Sequence, residues 1–224
     1  MKASTVLASA IALALVSPLA FAHKAGDVVV RAGAAMVNSQ TDSSEIKVNG
    51  TKVAGSEATV NDNTQLGLTL SYMLTDHVGI ELLAATPFTH RVGVKGVGAG
   101  IDGKLADVKH LPPTLSVQYF PLEPSSKWQP YVGAGINYTT FFDEKLTSAQ
   151  KANGFSSLSL SDSWGLALQV GTDIMITDKL MLNAAIWYID INTTASARLG
   201  GVNKVKVDVE IDPWVFMVGV GYKF

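Results

Sequence analysis

The chain has 224 residues, 47% of them hydrophobic and only 16% charged, with a formal charge of −2; a soluble domain carries about 25% charged residues. Mean hydropathy is +0.24, yet past the N-terminal leader there is no run of about 18 apolar residues, which excludes a helical membrane protein. The same numbers exclude intrinsic disorder, the lack of a basic stripe argues against nucleic acid as a partner, and the absence of cysteine fits an oxidising compartment.

Residues 1–22 read as a secretory signal peptide. Lys2 gives the positive start, Val6 to Val16 the apolar core, and Ala20-Phe21-Ala22 the small-x-small cleavage site. The mature chain then begins at His23 and forms a single domain over 23–224. Losing Lys2 with the leader takes its formal charge from −2 to −3.

Beyond the leader the side chains alternate with period two, and almost nowhere with 3.6. Eight segments follow, at about 27–37, 64–74, 77–89, 113–120, 130–142, 162–174, 180–191 and 204–224. An even number suits a single-chain outer-membrane barrel, whose two ends both lie on the periplasmic side. The connections alternate as well. Thr75-Asp76, Pro121 to Trp128 and Thr177-Asp178-Lys179 are short; about 38–63, 90–112, 143–161 and 192–203 are long and polar. The stretch 144–153 within the third long connection has helix-forming composition.

One face of the strands is uniformly apolar, as in Leu66, Leu68 and Leu70. Its companion carries Arg31, Glu81, Gln118, Gln169, Asp173, Asn183 and Lys223 among glycines. A charge facing lipid costs about 2–4 kcal/mol near the midplane for Lys or Arg, so the polar face points into the barrel. A soluble lipocalin-type barrel would bury its apolar faces inward instead. Tyr72, Tyr119 and Tyr222 sit at one end of the apolar face, and Tyr138, Trp164, Tyr188 and Trp214 at the other; two such girdles mark the membrane interfaces. The last strand ends in an apolar row closing on Phe224, which resembles the signal read by the barrel assembly machinery.

Above the outer girdle the faces exchange character. Lys204, Lys206, Asp208, Glu210 and Asp212 take the outward positions while Val205, Val207, Val209 and Ile211 turn in. Trp187, Ile189 and Ile191 also turn in, as do Leu83, Ala85 and Pro87 of strand three. The reading is an apolar upper lumen above a polar floor of Arg31, Glu81, Gln118, Asp173 and Lys223, whose charges need one another to offset desolvation. An eight-stranded barrel is either filled by its side chains or holds one small ligand. Pro87 lacks an N–H for the ladder, so it marks a bulge, an unpaired edge or the strand's end.

Three other motifs carry no function. Gly98-Ala-Gly100-Ile-Asp-Gly103 fits G-x-G-x-x-G but lies in a long connection with no helix after it. His90 and His110 bracket one connection, with no third ligand at metal spacing. The serines at 156–163 have no recognisable histidine partner. No catalytic residue, metal or cofactor is expected.

Several stretches resemble the outer membrane protein W (OmpW) family: His23-Lys-Ala-Gly-Asp, Asn63-Thr-Gln-Leu-Gly-Leu-Thr, Glu81-Leu-Leu-Ala-Ala-Thr-Pro-Phe88, His110-Leu-Pro-Pro-Thr114, Tyr131 to Phe142, Asp162-Ser-Trp-Gly165, Trp187-Tyr-Ile-Asp190 and Asp212-Pro-Trp-Val-Phe216. The resemblance spans nearly the whole mature chain. It implies a Gram-negative outer-membrane barrel whose hydrophobic channel takes small apolar molecules, is blocked toward the periplasm and releases them sideways through the wall. It puts Leu83 and Trp187 in the lumen and Pro87 near the opening.

The expectation is therefore an all-β, eight-stranded antiparallel transmembrane barrel with short periplasmic turns and four long extracellular loops. It would sit in outer-membrane lipid and admit small hydrophobic solutes past Leu83, Trp187, Ile189, Val205, Val207 and Val209. The alternative is a structural or adhesive surface barrel, or a receptor, with an inert lumen.

Overall fold

A computed structural model describes residues 22–98 and 100–224; the expected leader lies outside these except for its last residue. Along the chain, β1 (Val28–Asn38) is followed by the short β2 (Asp42–Ser43), β3 (Lys47–Val48) and β4 (Thr51–Lys52), then β5 (Glu57–Val60) and β6 (Asn63–Met73). Next come β7 (Val78–Ala85), β8 (Phe88–Lys95), β9 (Gly103–Leu111), β10 (Thr114–Tyr119) and the long β11 (Trp128–Leu146). A short helix, α1 (Ser148–Ala152), leads to β12 (Phe155–Leu160), β13 (Ser163–Met175), β14 (Leu180–Ile189), β15 (Asn192–Leu199), β16 (Asn203–Glu210) and β17 (Trp214–Lys223).

Eight of these strands close an antiparallel barrel in the order β10-β7-β6-β1-β17-β14-β13-β11, with β10 pairing back to β11. The alternation fixes which side chains meet lipid. In β6, Leu66, Leu68 and Leu70 stand outside while Thr69 and Ser71 are buried in the lumen. The two tightest turns share a device: Thr75 Oγ1 accepts from the N–H groups of His77 and Val78, and Thr177 Oγ1 from those of Lys179 and Leu180. Each hydroxyl replaces a backbone acceptor where the chain reverses.

The four long connections are largely ordered into strands. β11 carries on above the barrel and pairs with β9, then β8 and β5 continue that sheet. A second sheet runs β12-β15-β16-β3-β4, with β2 on β16. Apolar side chains of both sheets, among them Val92, Leu105, Val108, Ala195, Val207 and Val209, form one buried cluster between them. The helix expected in 144–153 forms over Ser148–Ala152, where Thr147 Oγ1 caps the Gln150 N–H at 3.2 Å.

Prolines mark the level where barrel strands give way to their upper extensions. Pro87 separates β7 from β8, Pro112-Pro113 separate β9 from β10, and Pro213 precedes β17. A residue without an N–H cannot serve the ladder on both sides. At the last break Asp212 takes φ +35°, and its carboxylate accepts from the Ile191 N–H at 3.0 Å and the Tyr188 hydroxyl at 3.2 Å. The odd residues from Val205 to Met217 still point inward across this break, so no register shift occurs there. Tyr138 and Trp164, and Tyr188 and Trp214, pair across strands at this height, with ring centroids 4.7 and 5.3 Å apart.

Strand three departs from expectation. The stretch 77–89 is two strands, and Pro87 is exposed, not inward. Thr86 and Pro87 both face out, after which Phe88 is buried. The proline ends β7's pairing, and the alternation restarts one position out of phase.

Candidate functional site

Inside the membrane-spanning barrel the lumen is closed by a polar cluster. Arg31 lies at its centre, 1% exposed. Its Nε and Nη2 donate to the two oxygens of Asp173 at 2.9 and 2.5 Å, and its Nη1 donates to Ser71 at 2.8 Å and to Glu81 at 3.2 Å. Around them Gln169 donates to Glu81 at 2.7 Å, Asn183 to Asp173 at 2.9 Å, and Gln118 to Gln169 at 3.4 Å. Four of the five residues expected in the floor thus come together. Lys223 instead pairs with Asp27 at 3.4 Å near the end of β17. Small inner residues admit the large ones: a Cβ on Gly171 would lie 2.4 Å from the Tyr131 ring, which sits beneath the Arg31 guanidinium.

Two floor members escaped the sequence reading. His23 folds under the barrel and places Nε2 2.9 Å from Asp173; it precedes β1, so strand alternation carries no signal for it. Tyr131 fills the lumen and accepts from Asn183 at 3.0 Å. Its inward parity with Gly133 and Gly135 could have found it.

Above the floor comes a packed apolar layer. Leu83, Trp187 and Ile189 are all buried in it, with Phe88, Val215 and Met217. Higher still, between the two upper sheets, lies an apolar cavity of about 50 Å³ whose walls include Val207, Val209, Phe141, His90 and His110. A second of about 60 Å³ adjoins the same Val207 and reaches Val205. Of the six residues expected to line an apolar lumen, Val205, Val207 and Val209 border these cavities, while Leu83, Trp187 and Ile189 pack below them.

The two histidines lie side by side, ring centroids 4.9 Å apart, with His110 stacked on Phe88 at 5.4 Å. Burial, with a smaller contribution from neighbouring His90, lowers the pKa of His110 to about 3. Burial also lowers that of His90, against the hydrogen bond to the Asn61 carbonyl and the nearby Asp62. Both rings are neutral at pH 7. Among the described residues no group of three or more His, Cys, Asp or Glu gathers at metal-binding distance.

The wall is incompletely laddered beside Pro87. The β6–β7 register stops at Gly67 and Ala85, with one further bond from Thr86 N–H to the Leu66 carbonyl at 3.0 Å. Above that, β8 pairs with β9 and β5 and not with β6. Side chains bridge the gap: Thr86 donates to Gln65 at 3.1 Å, and Asn63 to the Thr89 carbonyl.

The OmpW family model matches residues 24–224. The chain is 51% identical over 220 residues to outer membrane protein W of Vibrio cholerae, covering 98% of this chain and 99% of that one. The crystal structure of the outer membrane protein OprG from Pseudomonas aeruginosa superposes with a TM-score of 0.88 at 56% identity, over 91% of this chain and 98% of that one. The solution structure of the E. coli outer membrane protein W gives 0.60 at 48%, over 90% and 100%.

Proposed function

The chain belongs to the OmpW family and resides in the Gram-negative outer membrane, and from that premise we propose that it passes small hydrophobic molecules inward from the cell exterior, without catalysis. The observation that carries this reading is the vertical order of the lumen. An apolar cavity bordered by Val207 and Val209 stands above a floor closed by Arg31, Asp173 and Glu81. An ion would lose most of its hydration in the first compartment, whose walls are almost wholly apolar, whereas an apolar guest meets matching walls.

The closed floor supports a sideways exit. A guest reaching the level of Phe88 has a packed layer beneath it and, beside Pro87, the part of the wall where β6 and β8 share no ladder. The side-chain bridges there involve Gln65, Thr86 and Asn63, which part more readily than paired strands. Leu83, Trp187 and Ile189 would form the base of the chamber, so their role is to turn the guest aside. The outward apolar row from Trp214 through Tyr222 to Phe224 is exposed and supports insertion by the barrel assembly machinery.

Uptake of an apolar tracer into outer-membrane vesicles tests the reading. Val207→Asp places a charge in the cavity and should bring entry down to the rate of vesicles lacking the protein. Equal rates for wild type, the variant and empty vesicles, with the barrels folded, would overturn it and favour a structural or adhesive role.

A further inference from the structure

The upper cavity contains an anomaly for an apolar chamber: imidazole nitrogens with nothing to bond. His90 Nδ1 bonds to the Asn61 carbonyl. A carbonyl only accepts, so this nitrogen carries the proton and Nε2 keeps a lone pair. That Nε2 is buried and has no partner among the described residues. The His110 ring contacts Phe88, His90 and Phe141 by its faces and edges, and its nitrogens make no hydrogen bond among the described residues. Its tautomer is unconstrained, so it offers one N–H and one lone pair.

Resting on the channel reading above, we propose that His90 and His110 form a polar subsite in this cavity that selects small apolar molecules ending in a hydroxyl group. The chemistry follows from the donors and acceptors present. A hydroxyl donates its hydrogen to His90 Nε2 and accepts one from His110, filling both vacancies at once. A ketone or ester oxygen only accepts, so it serves His110 and leaves His90 unsatisfied. A hydrocarbon serves neither. Both rings line the same cavity with centroids 4.9 Å apart, which brings the two imidazoles to the same end of a small guest. Both imidazoles stay neutral at physiological pH, so the subsite takes a neutral head group in preference to a carboxylate. The two adjoining cavities, about 50 and 60 Å³, share Val207 and Leu105; their apolar walls together hold the tail, and their small volume favours slender chains.

The test uses the full-length protein in lipid nanodiscs with 1-pentanol, 2-pentanone and n-pentane, with occupancy read from the amide resonances of Val207 and Val209. Corrected for lipid partitioning, 1-pentanol should bind about thirtyfold tighter than n-pentane, two buried hydrogen bonds at about fivefold each. His90→Phe and His110→Phe keep a ring in each place; each should cut the ratio of 1-pentanol to n-pentane affinity to about fivefold. In the unaltered protein, 1-pentanol should shift the ¹⁵N resonance of His90 Nε2 while n-pentane leaves it in place, a readout that needs no variant to fold. If all three solutes bind alike, or the phenylalanine variants keep the full preference, the hydroxyl subsite is wrong and the channel reading stands. If none of the three perturbs the cavity, the channel reading fails with it.

Discussion

Replacing Arg31 by methionine removes the hub of the floor while keeping much of its volume. The guanidinium donates three bonds to Asp173 and Glu81 and one at 2.8 Å to Ser71. Without it, Asp173 keeps His23 and Asn183, both at 2.9 Å, and Glu81 keeps Gln169 at 2.7 Å. Two carboxylates would then be buried without a full counter-charge. Breaking a buried ion pair from one side costs about 3–5 kcal/mol, and partners as good as these put the expected loss near the lower end, about 3 kcal/mol. Adding Asp173→Asn removes one of the stranded charges, so the double variant should recover about 2 kcal/mol, a coupling in the range found for directly contacting residues. Urea unfolding in lipid vesicles, followed by tryptophan fluorescence, measures each corner of the cycle. Additive effects, or a loss under about 1 kcal/mol for Arg31→Met, would refute the view that charge pairing holds the floor closed.

Three further outcomes are expected. Gly171→Ala should cost about 1–3 kcal/mol by overpacking, because its new methyl meets the Tyr131 ring at 2.4 Å; adding Tyr131→Leu should recover most of it in the same unfolding assay. Pro87→Ala supplies an N–H where the wall lacks one, and a single added bond of about 1 kcal/mol should slow tracer release into the membrane about fivefold without changing the stability of the floor. Acidification should loosen the upper sheets: His110 titrates near 3 when folded, so the open state binds more protons between pH 6.5 and 3. Stability there is full above 6.5 and falls as pH drops, by about 2 kcal/mol at pH 5. His90 faces it and Asp62 lies beyond; hydrogen exchange of β8 and β9 amides should accelerate at pH 5, and His110→Phe should flatten that response.

The barrel was legible because each strand repeats one binary choice. Leu66, Leu68 and Leu70 on one parity and Thr69 and Ser71 on the other define the lipid and lumen faces without any contact being known. The valines of β16 were equally legible, since the charges between them must face water once the strand leaves the bilayer. Alternation fails where the chain stops alternating. At Thr86 and Pro87 two residues in a row face out, so the expectation of one strand running through Pro87 puts its ring on the wrong side. It is silent about height as well: Trp187 and Val207 share the inward parity, yet one packs in a solid layer and the other borders a cavity. Nor does a period of two bring distant segments together. His23 reaches Asp173 across the barrel, and His90 meets His110 only because β8 and β9 pair.

The height of the breaks carries a consequence for any sideways exit. Freed backbone groups in the hydrocarbon core cost several kcal/mol each, whereas at the interface water can take them. The prolines at 87, 112–113 and 213 all lie at the level of the Trp164 and Trp214 girdle, where interruption is tolerable, and Asn137 there donates to the carbonyls of Pro112 and Pro113 at 3.1 and 3.3 Å. A gap deeper in the wall would expose unpaired strand edges to lipid and destabilise the barrel. An exit beside Pro87 therefore delivers its solute to the boundary between head groups and acyl chains of the outer leaflet, not to the bilayer centre. A tracer that reports depth should first appear at that boundary and then move inward; first arrival at the midplane would place the exit elsewhere.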